Sequence, residues 1–140
     1  MSVMTQKRSR ILHVRKIEHR VATAKLFQAN RDLAKMVNVQ ERIGTLQANT
    51  QIGCGGHTGP VLRATGEMQQ RLSDAYDALA HSKTEAEERK QETEQLRNAA
   101  HQREERAQRL YDHAKKNDML ESVRRHDANM PSRQKFKKIG

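Results

Sequence analysis

Four of the seven glycines in this 140-residue chain fall within one short segment, which reads Gly53-Cys54-Gly55-Gly56-His57-Thr58-Gly59-Pro60. Glycine adopts the left-handed backbone conformation that ends many helices, and proline is well tolerated in the first turn of a helix. We therefore predict a Gly-rich turn over residues 52–60, with one helix ending before it and a second helix beginning after it.

The segment before this turn has the pattern of a single amphipathic helix over about residues 5–51. It contains no proline and only one glycine, Gly44. Its apolar residues recur at intervals of three and four, which is the spacing of one helical face. The predicted stripe comprises Ile11, Val14, Val21, Ala22, Leu26, Ala29, Leu33, Met36, Val39, Ile43 and Leu46.

The segment after the turn predicts a second helix over about residues 61–127. A strict alternation of three and four residues continues there for more than seven heptads, which indicates a coiled coil. Five of the apolar seam residues are alanine, so each layer buries little apolar area and the coil is expected to be marginally stable. The predicted seam is Val61, Thr65, Met68, Leu72, Ala75, Leu79, Ser82, Ala86, Arg89, Thr93, Leu96, Ala100, Arg103, Ala107, Leu110 and Ala114.

Together these segments predict an all-α fold, a long two-helix antiparallel coiled-coil hairpin that occupies residues 1–140 as a single unit. A short glycine turn between two long helices favours a chain that folds back on itself. Pro131 disfavours helix in the residue before it. Residues 128–140 are therefore predicted to form a disordered basic tail.

Composition excludes several classes of protein. Leu, Ile, Val and Phe number 24, about 17% of the chain, which is too few for the thick core of a compact α/β enzyme. The single cysteine excludes a disulfide framework, and no apolar run approaches the length of a membrane span. The N-terminal segment also lacks the apolar core of a secretory signal, so we expect an intracellular protein.

No constellation of residues in the sequence predicts an active site. Cys54 and His57 form the only local pair that resembles a metal or nucleophile site, but zinc needs three or four ligands. The glycines around them lack the lysine of a phosphate-binding loop. The seven histidines are scattered and are read as solvated positions. We predict no enzyme activity, no metal and no cofactor.

The net charge of +10 is distributed unevenly. Residues 1–50 carry a net charge of +7, residues 51–100 carry −2, and residues 101–140 carry +5. In a hairpin the two basic segments lie together at the end that holds both termini. This polarity predicts docking of the basic end on an acidic partner surface.

Two long segments carry a resemblance to a known family. The first is the opening amphipathic stretch, residues 10–22, and the second is Met68-Gln69-Gln70-Arg71-Leu72-Ser73-Asp74-Ala75-Tyr76-Asp77-Ala78-Leu79. Combined with the glycine reversal near one third of the length and the basic end of a long charged second helix, the chain resembles the central-stalk proteins of flagellar type III export. These are the FliJ family and its injectisome relatives of the YscO type.

This resemblance implies a non-enzymatic stalk that binds the hexameric export ATPase, the cytoplasmic domain of the export gate and substrate chaperones, without a small-molecule substrate. It also implies a cytoplasmic location, peripheral at the inner-membrane export apparatus. The candidate ATPase-binding residues are Arg15, Lys16, Arg20, Arg103, Arg106 and Arg109. The candidate gate-binding residues are Met68, Leu72, Tyr76 and Leu79.

Two other functions remain open from the residues alone. A basic coiled coil could bind nucleic acid through phosphates, although this chain lacks a stacking platform and a zipper adjoining a basic region. A cytosolic adaptor or cytoskeletal coil is the other alternative. The choice between flagellar and injectisome export also stays open.

Overall fold

A computed structural model describes residues 2–51 and 59–130 of the chain. Helix α1 runs over Val3–Gln51 and helix α2 over Gly59–Ala128, so that 98% of the described residues are helical. The all-α prediction is confirmed. Gly59 and Pro60, which were predicted to belong to the turn, lie in the first turn of α2, and Ala128, predicted to begin the tail, is the last residue of α2. The remainder of the predicted turn, residues 52–58 with Cys54 and His57, and the part of the predicted tail from Pro131 onward lie outside the described residues.

The two helices pack against each other and run antiparallel, as predicted. Contacts group the chain into two units. The terminal unit comprises Met1–Val21 and Asn98–Gly140, and the middle unit comprises Ala22–Arg97. In the terminal unit Thr5 bonds to Asp118 and His19 to Glu104, so residue numbers rise on one helix as they fall on the other. In the middle unit Lys83 Nζ donates to Gln40 Oε1 over 3.2 Å.

The predicted α2 seam consists of two rows of residues, and within each row the members recur every seven positions. One of these rows is confirmed, because its members are buried or half-buried: Leu72, Leu79, Ala86, Thr93, Ala100, Ala107 and Ala114. Four of the seven are alanines with at most 9% of their surface exposed. Small side chains let two helical backbones approach closely, but each of them removes little apolar area from water.

Most of the other predicted row of α2 is displaced by one residue. Ser82 is half-buried as predicted, but the remaining members are exposed: Val61, Met68, Ala75, Arg89, Leu96, Arg103 and Leu110. The half-buried row is instead Gln69, Lys83, Lys90, Arg97, Glu104, Tyr111 and Asp118. The residues that this row meets on α1 include Thr5, His19 and Gln40, which are polar. Leucine opposite these groups would remove the hydrogen bonds that they form across the interface, so a polar row satisfies the interface better than an apolar one.

The stripe predicted on α1 is confirmed at six of its eleven positions, which are Ala22, Leu26, Ala29, Leu33, Met36 and Ile43. The other five are exposed: Ile11, Val14 and Val21 near the start of the helix, and Val39 and Leu46 nearer its end. In the terminal unit the buried positions are instead Thr5 and Leu12, with His19 half-buried. These three residues are seven apart, so the seam there follows a heptad row in which two of three members are polar.

Local interactions stabilise the start of α1 and the end of α2. At the start of α1, the backbone N–H of Thr5 donates to Ser2 Oγ over 3.2 Å, so Ser2 is the N-cap. At the end of α2, the N–H of Asn129 donates to the carbonyl of Arg125 over 3.0 Å. Arg125 and His126 occupy the last turn of α2, where positive charge interacts favourably with the helix dipole.

Two neighbouring residues of α1 test whether Leu12, and not Ile11, belongs to the helix seam. Leu12 is 7% exposed and Ile11 is 37% exposed. Substitution Leu12→Ala is expected to lower the free energy of unfolding by about 2 kcal/mol, because a buried leucine is lost. The matched substitution Ile11→Ala should change it by no more than about 0.5 kcal/mol. Urea unfolding followed by far-UV circular dichroism measures both values, and equal losses would contradict the register.

Candidate functional site

The terminal unit carries the whole positive excess of the chain. Its sequence holds 17 Lys and Arg against 7 Asp and Glu, while the middle unit holds 10 of each. All six candidate ATPase-binding residues fall in the terminal unit. Among the described residues the terminal unit keeps 13 Lys and Arg against 7 Asp and Glu, so the predicted contrast between a basic and a nearly neutral region holds there as well.

The six candidate basic residues differ in the exposure of their side chains and in the contacts that those side chains already make. Lys16, Arg20, Arg103 and Arg106 are exposed. Arg109 is also exposed, and its Nε donates to the carbonyl of Glu105 over 3.5 Å. Arg15 is half-buried, and its guanidinium forms an ion pair with Glu18 at 2.9 Å. Partial neutralisation by Glu18 makes Arg15 the least available of the six for an acidic partner.

Exposed aliphatic residues lie among these cations on α1. Ile11, Val14, Ile17 and Val21 are all exposed, and they follow one another at intervals of three and four residues. Ile11 and Val14 line a shallow groove together with Arg10, Arg15 and Glu18. Their spacing in the sequence predicted that Ile11, Val14 and Val21 belong to the helix seam. The structure instead places them on a surface that combines apolar and basic side chains, which we call the mixed surface of α1.

A carboxylate from α2 completes the start of α1. Asp118 Oδ2 accepts the backbone N–H of Ser2 over 3.1 Å and also the hydroxyl of Thr5. The Ser2 and Thr5 hydroxyls lie 3.0 Å apart, and Thr5 is fully buried. The first turn of α1 contains no acidic residue. Asp118 therefore supplies the negative charge that stabilises a helix N-terminus.

These hydrogen bonds change the acidity of Asp118. The Thr5 hydroxyl is the main cause, followed by the Ser2 backbone N–H, and together they hold the pKa of Asp118 below its usual value of 3.8. Both donors favour the ionised carboxylate. Sequence reasoning missed this cluster, because Asp118 is separated from Thr5 by more than a hundred residues and looks like any other acid in a charged helix.

The second polar cluster in the terminal unit joins two histidines and a glutamate. His19 Nδ1 lies 2.5 Å from Glu104 Oε2, and the ring centroids of His19 and His101 are 4.9 Å apart. His101 and Glu104 are three residues apart on α2 and so share a face of that helix. The sequence predicted solvated histidines throughout, but only 22% of the His19 side chain is exposed.

The four candidate gate-binding residues lie on α2 in the middle unit, and they divide into two kinds. Met68 and Tyr76 are exposed, with 47% and 38% of their surface accessible. Leu72 and Leu79 are half-buried and belong to the confirmed row of the helix seam. Only the first pair presents apolar surface that a partner could cover without first separating the two helices.

Comparison of the chain with protein-family models, curated proteins and solved structures finds no match. The resemblance to central-stalk proteins therefore rests on the residues quoted above. Within the described residues, neither helix contains a stretch long and apolar enough to cross a membrane.

The Asp118 cluster predicts a specific pH dependence. A carboxylate with a lowered pKa stabilises the fold above its unfolded pKa of about 4, and that stabilisation disappears as the pH falls through the lower folded value. Asp118→Ala should therefore lower the melting temperature at neutral pH, and its difference from the wild type should shrink below about pH 4.

Asp112→Ala provides the matched control for this prediction. Asp112 is an exposed acid of the same helix, and its carboxylate accepts a hydrogen bond from Gln108, four residues earlier on α2. Melting curves of the three proteins across acidic pH make the comparison. A constant difference between Asp118→Ala and the wild type at every pH would refute the role of the carboxylate.

Proposed function

We propose that this chain is a non-enzymatic coupling component of a flagellar type III export apparatus, in which the terminal unit docks on the ring of the export ATPase. The observation that carries the proposal is the positive excess of the terminal unit, whose described residues hold 13 Lys and Arg against 7 Asp and Glu, while the middle unit holds 10 of each. A neutral unit joined to a strongly basic one is suited to orienting the chain on an acidic partner.

The exposed surface of the terminal unit supports a contact with an apolar part as well as an electrostatic part. The mixed surface of α1 places Val14, Ile17 and Val21 beside Lys16 and Arg20. Exposed charges accelerate encounter and orient the partners, whereas apolar contacts that exclude water contribute more to the lifetime of a complex. Binding to an acidic surface inside the ATPase ring should therefore weaken with salt without disappearing.

The middle unit supplies the proposed contact with the cytoplasmic domain of the export gate. Met68 and Tyr76 carry this part of the proposal, because they are exposed on α2. Leu72 and Leu79 act there by holding α2 against α1. Recycling of substrate chaperones and a position at the inner-membrane export apparatus follow from the resemblance and belong to the same proposal.

Charge reversal on α1 tests the docking of the terminal unit. Arg15→Glu, Lys16→Glu and Arg20→Glu combined should weaken binding to the purified export ATPase by at least about tenfold. Lys16 and Arg20 are the exposed members of this set, and reversal of each charge replaces an attraction of up to about 1 kcal/mol with a repulsion, while 1.4 kcal/mol corresponds to a tenfold change. Binding is measured by biolayer interferometry and the stimulation of ATP hydrolysis by a phosphate-release assay.

The same helix offers a matched control in the middle unit. Lys25, Lys35 and Arg42 are exposed on α1, and their combined reversal to glutamate changes the net charge by the same amount. This control should retain both ATPase binding and stimulation. If both triple variants lost binding equally, net charge alone would explain the effect. If neither did, the basic surface would have no role.

Substitution of the two exposed candidate residues on α2 tests the proposed contact with the export gate. Met68→Ala with Tyr76→Ala is expected to weaken binding to the gate domain by about tenfold or more, since exposed aromatic and Met side chains often dominate an interface. Leu62→Ala is the control, because Leu62 is 56% exposed on the same helix. Equal losses in both proteins would contradict the assignment, and circular dichroism confirms that the fold is retained.

The positive excess of the terminal unit also favours a second candidate, nucleic-acid binding. Fluorescence titration against duplex and single-stranded oligonucleotides at two salt concentrations separates the two functions. Phosphate-driven binding must weaken steeply as the salt concentration rises. Tight, steeply salt-dependent oligonucleotide binding without ATPase binding would replace the export proposal.

A further inference from the structure

We propose that His19, His101 and Glu104 form a binding site for a divalent transition-metal ion of the zinc class, independent of the docking functions above. One group in the described residues brings three potential ligand atoms from both helices within 4.8 Å of one another, and it consists of these residues. All three belong to the terminal unit.

The donor set has the chemistry that zinc prefers. Two imidazoles and one carboxylate are the kinds of ligand that bind zinc at about 2.0–2.2 Å, with water in the remaining position of an open tetrahedron. Imidazole also suits copper, nickel and iron, whereas calcium and magnesium require mainly oxygen ligands. The site is therefore expected to select zinc-like ions over magnesium and calcium.

The helical framework places the ligands suitably. His101 and Glu104 project from one face of α2 at a spacing of three residues, and paired carboxylate and histidine ligands at this spacing occur in helical bundles that bind metals. His19 approaches from α1. An ion held by the three residues would join the two helices across the polar seam of the terminal unit, in place of the direct contact between His19 Nδ1 and Glu104 Oε2.

The ligand distances require small side-chain adjustments and no backbone change. The ligand atoms of a tetrahedral zinc site lie about 3.3 Å apart. His19 Nδ1 and Glu104 Oε2 are closer than this, at 2.5 Å, and the most distant pair of the group is within 4.8 Å. Half of the His101 side chain is exposed, so its imidazole has room to rotate towards the ion.

A neighbouring carboxylate supports the assignment. His101 Nε2 lies 3.1 Å from Glu105 Oε1. Metal-binding imidazoles commonly hydrogen-bond a carboxylate through the nitrogen that does not bind the ion, which orients the ring and increases its basicity. Glu104 and Glu105 also place two negative charges beside the ion, which offsets part of the repulsion from the basic residues of the terminal unit.

Isothermal titration of the full chain with zinc chloride tests the proposal. We expect one Zn²⁺ per chain and a rise in melting temperature on addition of zinc, because ligands that bind only the folded state stabilise it. His19→Gln, His101→Gln and Glu104→Gln should each weaken binding by at least about tenfold, since even loss of an outer partner of a metal ligand costs 10- to 100-fold.

Two matched variants exclude other sources of binding. His81→Gln disrupts a His81–Glu85 pair with the same spacing and chemistry as His101–Glu105, but in the middle unit. Cys54→Ser removes the single thiol of the chain. Both variants should keep the wild-type affinity for zinc. Binding of Co²⁺ should produce an absorption spectrum without a sulfur-to-metal charge-transfer band.

The results of these measurements either support the metal site or overturn it. One ion per chain, lost on substitution of His101 or Glu104 and unaffected by the controls, supports the site. His101→Gln is the decisive variant, because its exposed imidazole can be replaced without disturbing the helix seam. Unchanged affinity in that variant, loss of binding in Cys54→Ser, or zinc-induced dimers with half an ion per chain would each overturn the proposal.

Discussion

The pairing of two helices through a narrow seam, in which one of the two rows on α2 is polar, is the constraint on which the rest of this structure depends. The buried apolar core of the described residues consists of one leucine and five alanines. Such a core supplies little hydrophobic free energy, so the polar groups of the seam need partners on the opposite helix. Thr5, His19 and Gln40 find those partners in Asp118, Glu104 and Lys83.

This requirement explains why the surface of α1 is more apolar than expected. Because polar residues occupy seam positions in the terminal unit, Ile11, Val14 and Val21 lie outside the seam, among exposed basic side chains. The arrangement that lowers the stability of the helix pair thereby creates a surface able to make both apolar and ionic contacts. Stability and partner binding are linked through the choice of seam.

The polar seam also brings together titratable and potentially metal-binding side chains in the terminal unit. Asp118 stabilises the start of a helix whose own first turn contains no acid, and its lowered pKa records that interaction. The His19, His101 and Glu104 group lies farther along the same seam and brings together three good ligands for transition metals. A two-helix structure has no enclosed core, so such groups form where long polar side chains of facing helices meet.

The amino-acid sequence is sufficient to predict the two helices, their antiparallel pairing and the concentration of positive charge near both termini. Glycine clustering, proline positions, heptad spacing and charge counts are properties of the sequence alone. The packing of α1 against α2 is needed to show which of two adjacent residues faces the partner helix, as with Leu96 and Arg97, and which distant polar residues meet. Those outcomes depend on how far each helix is rotated about its axis, and hydrogen bonds between residues far apart in the chain determine that rotation.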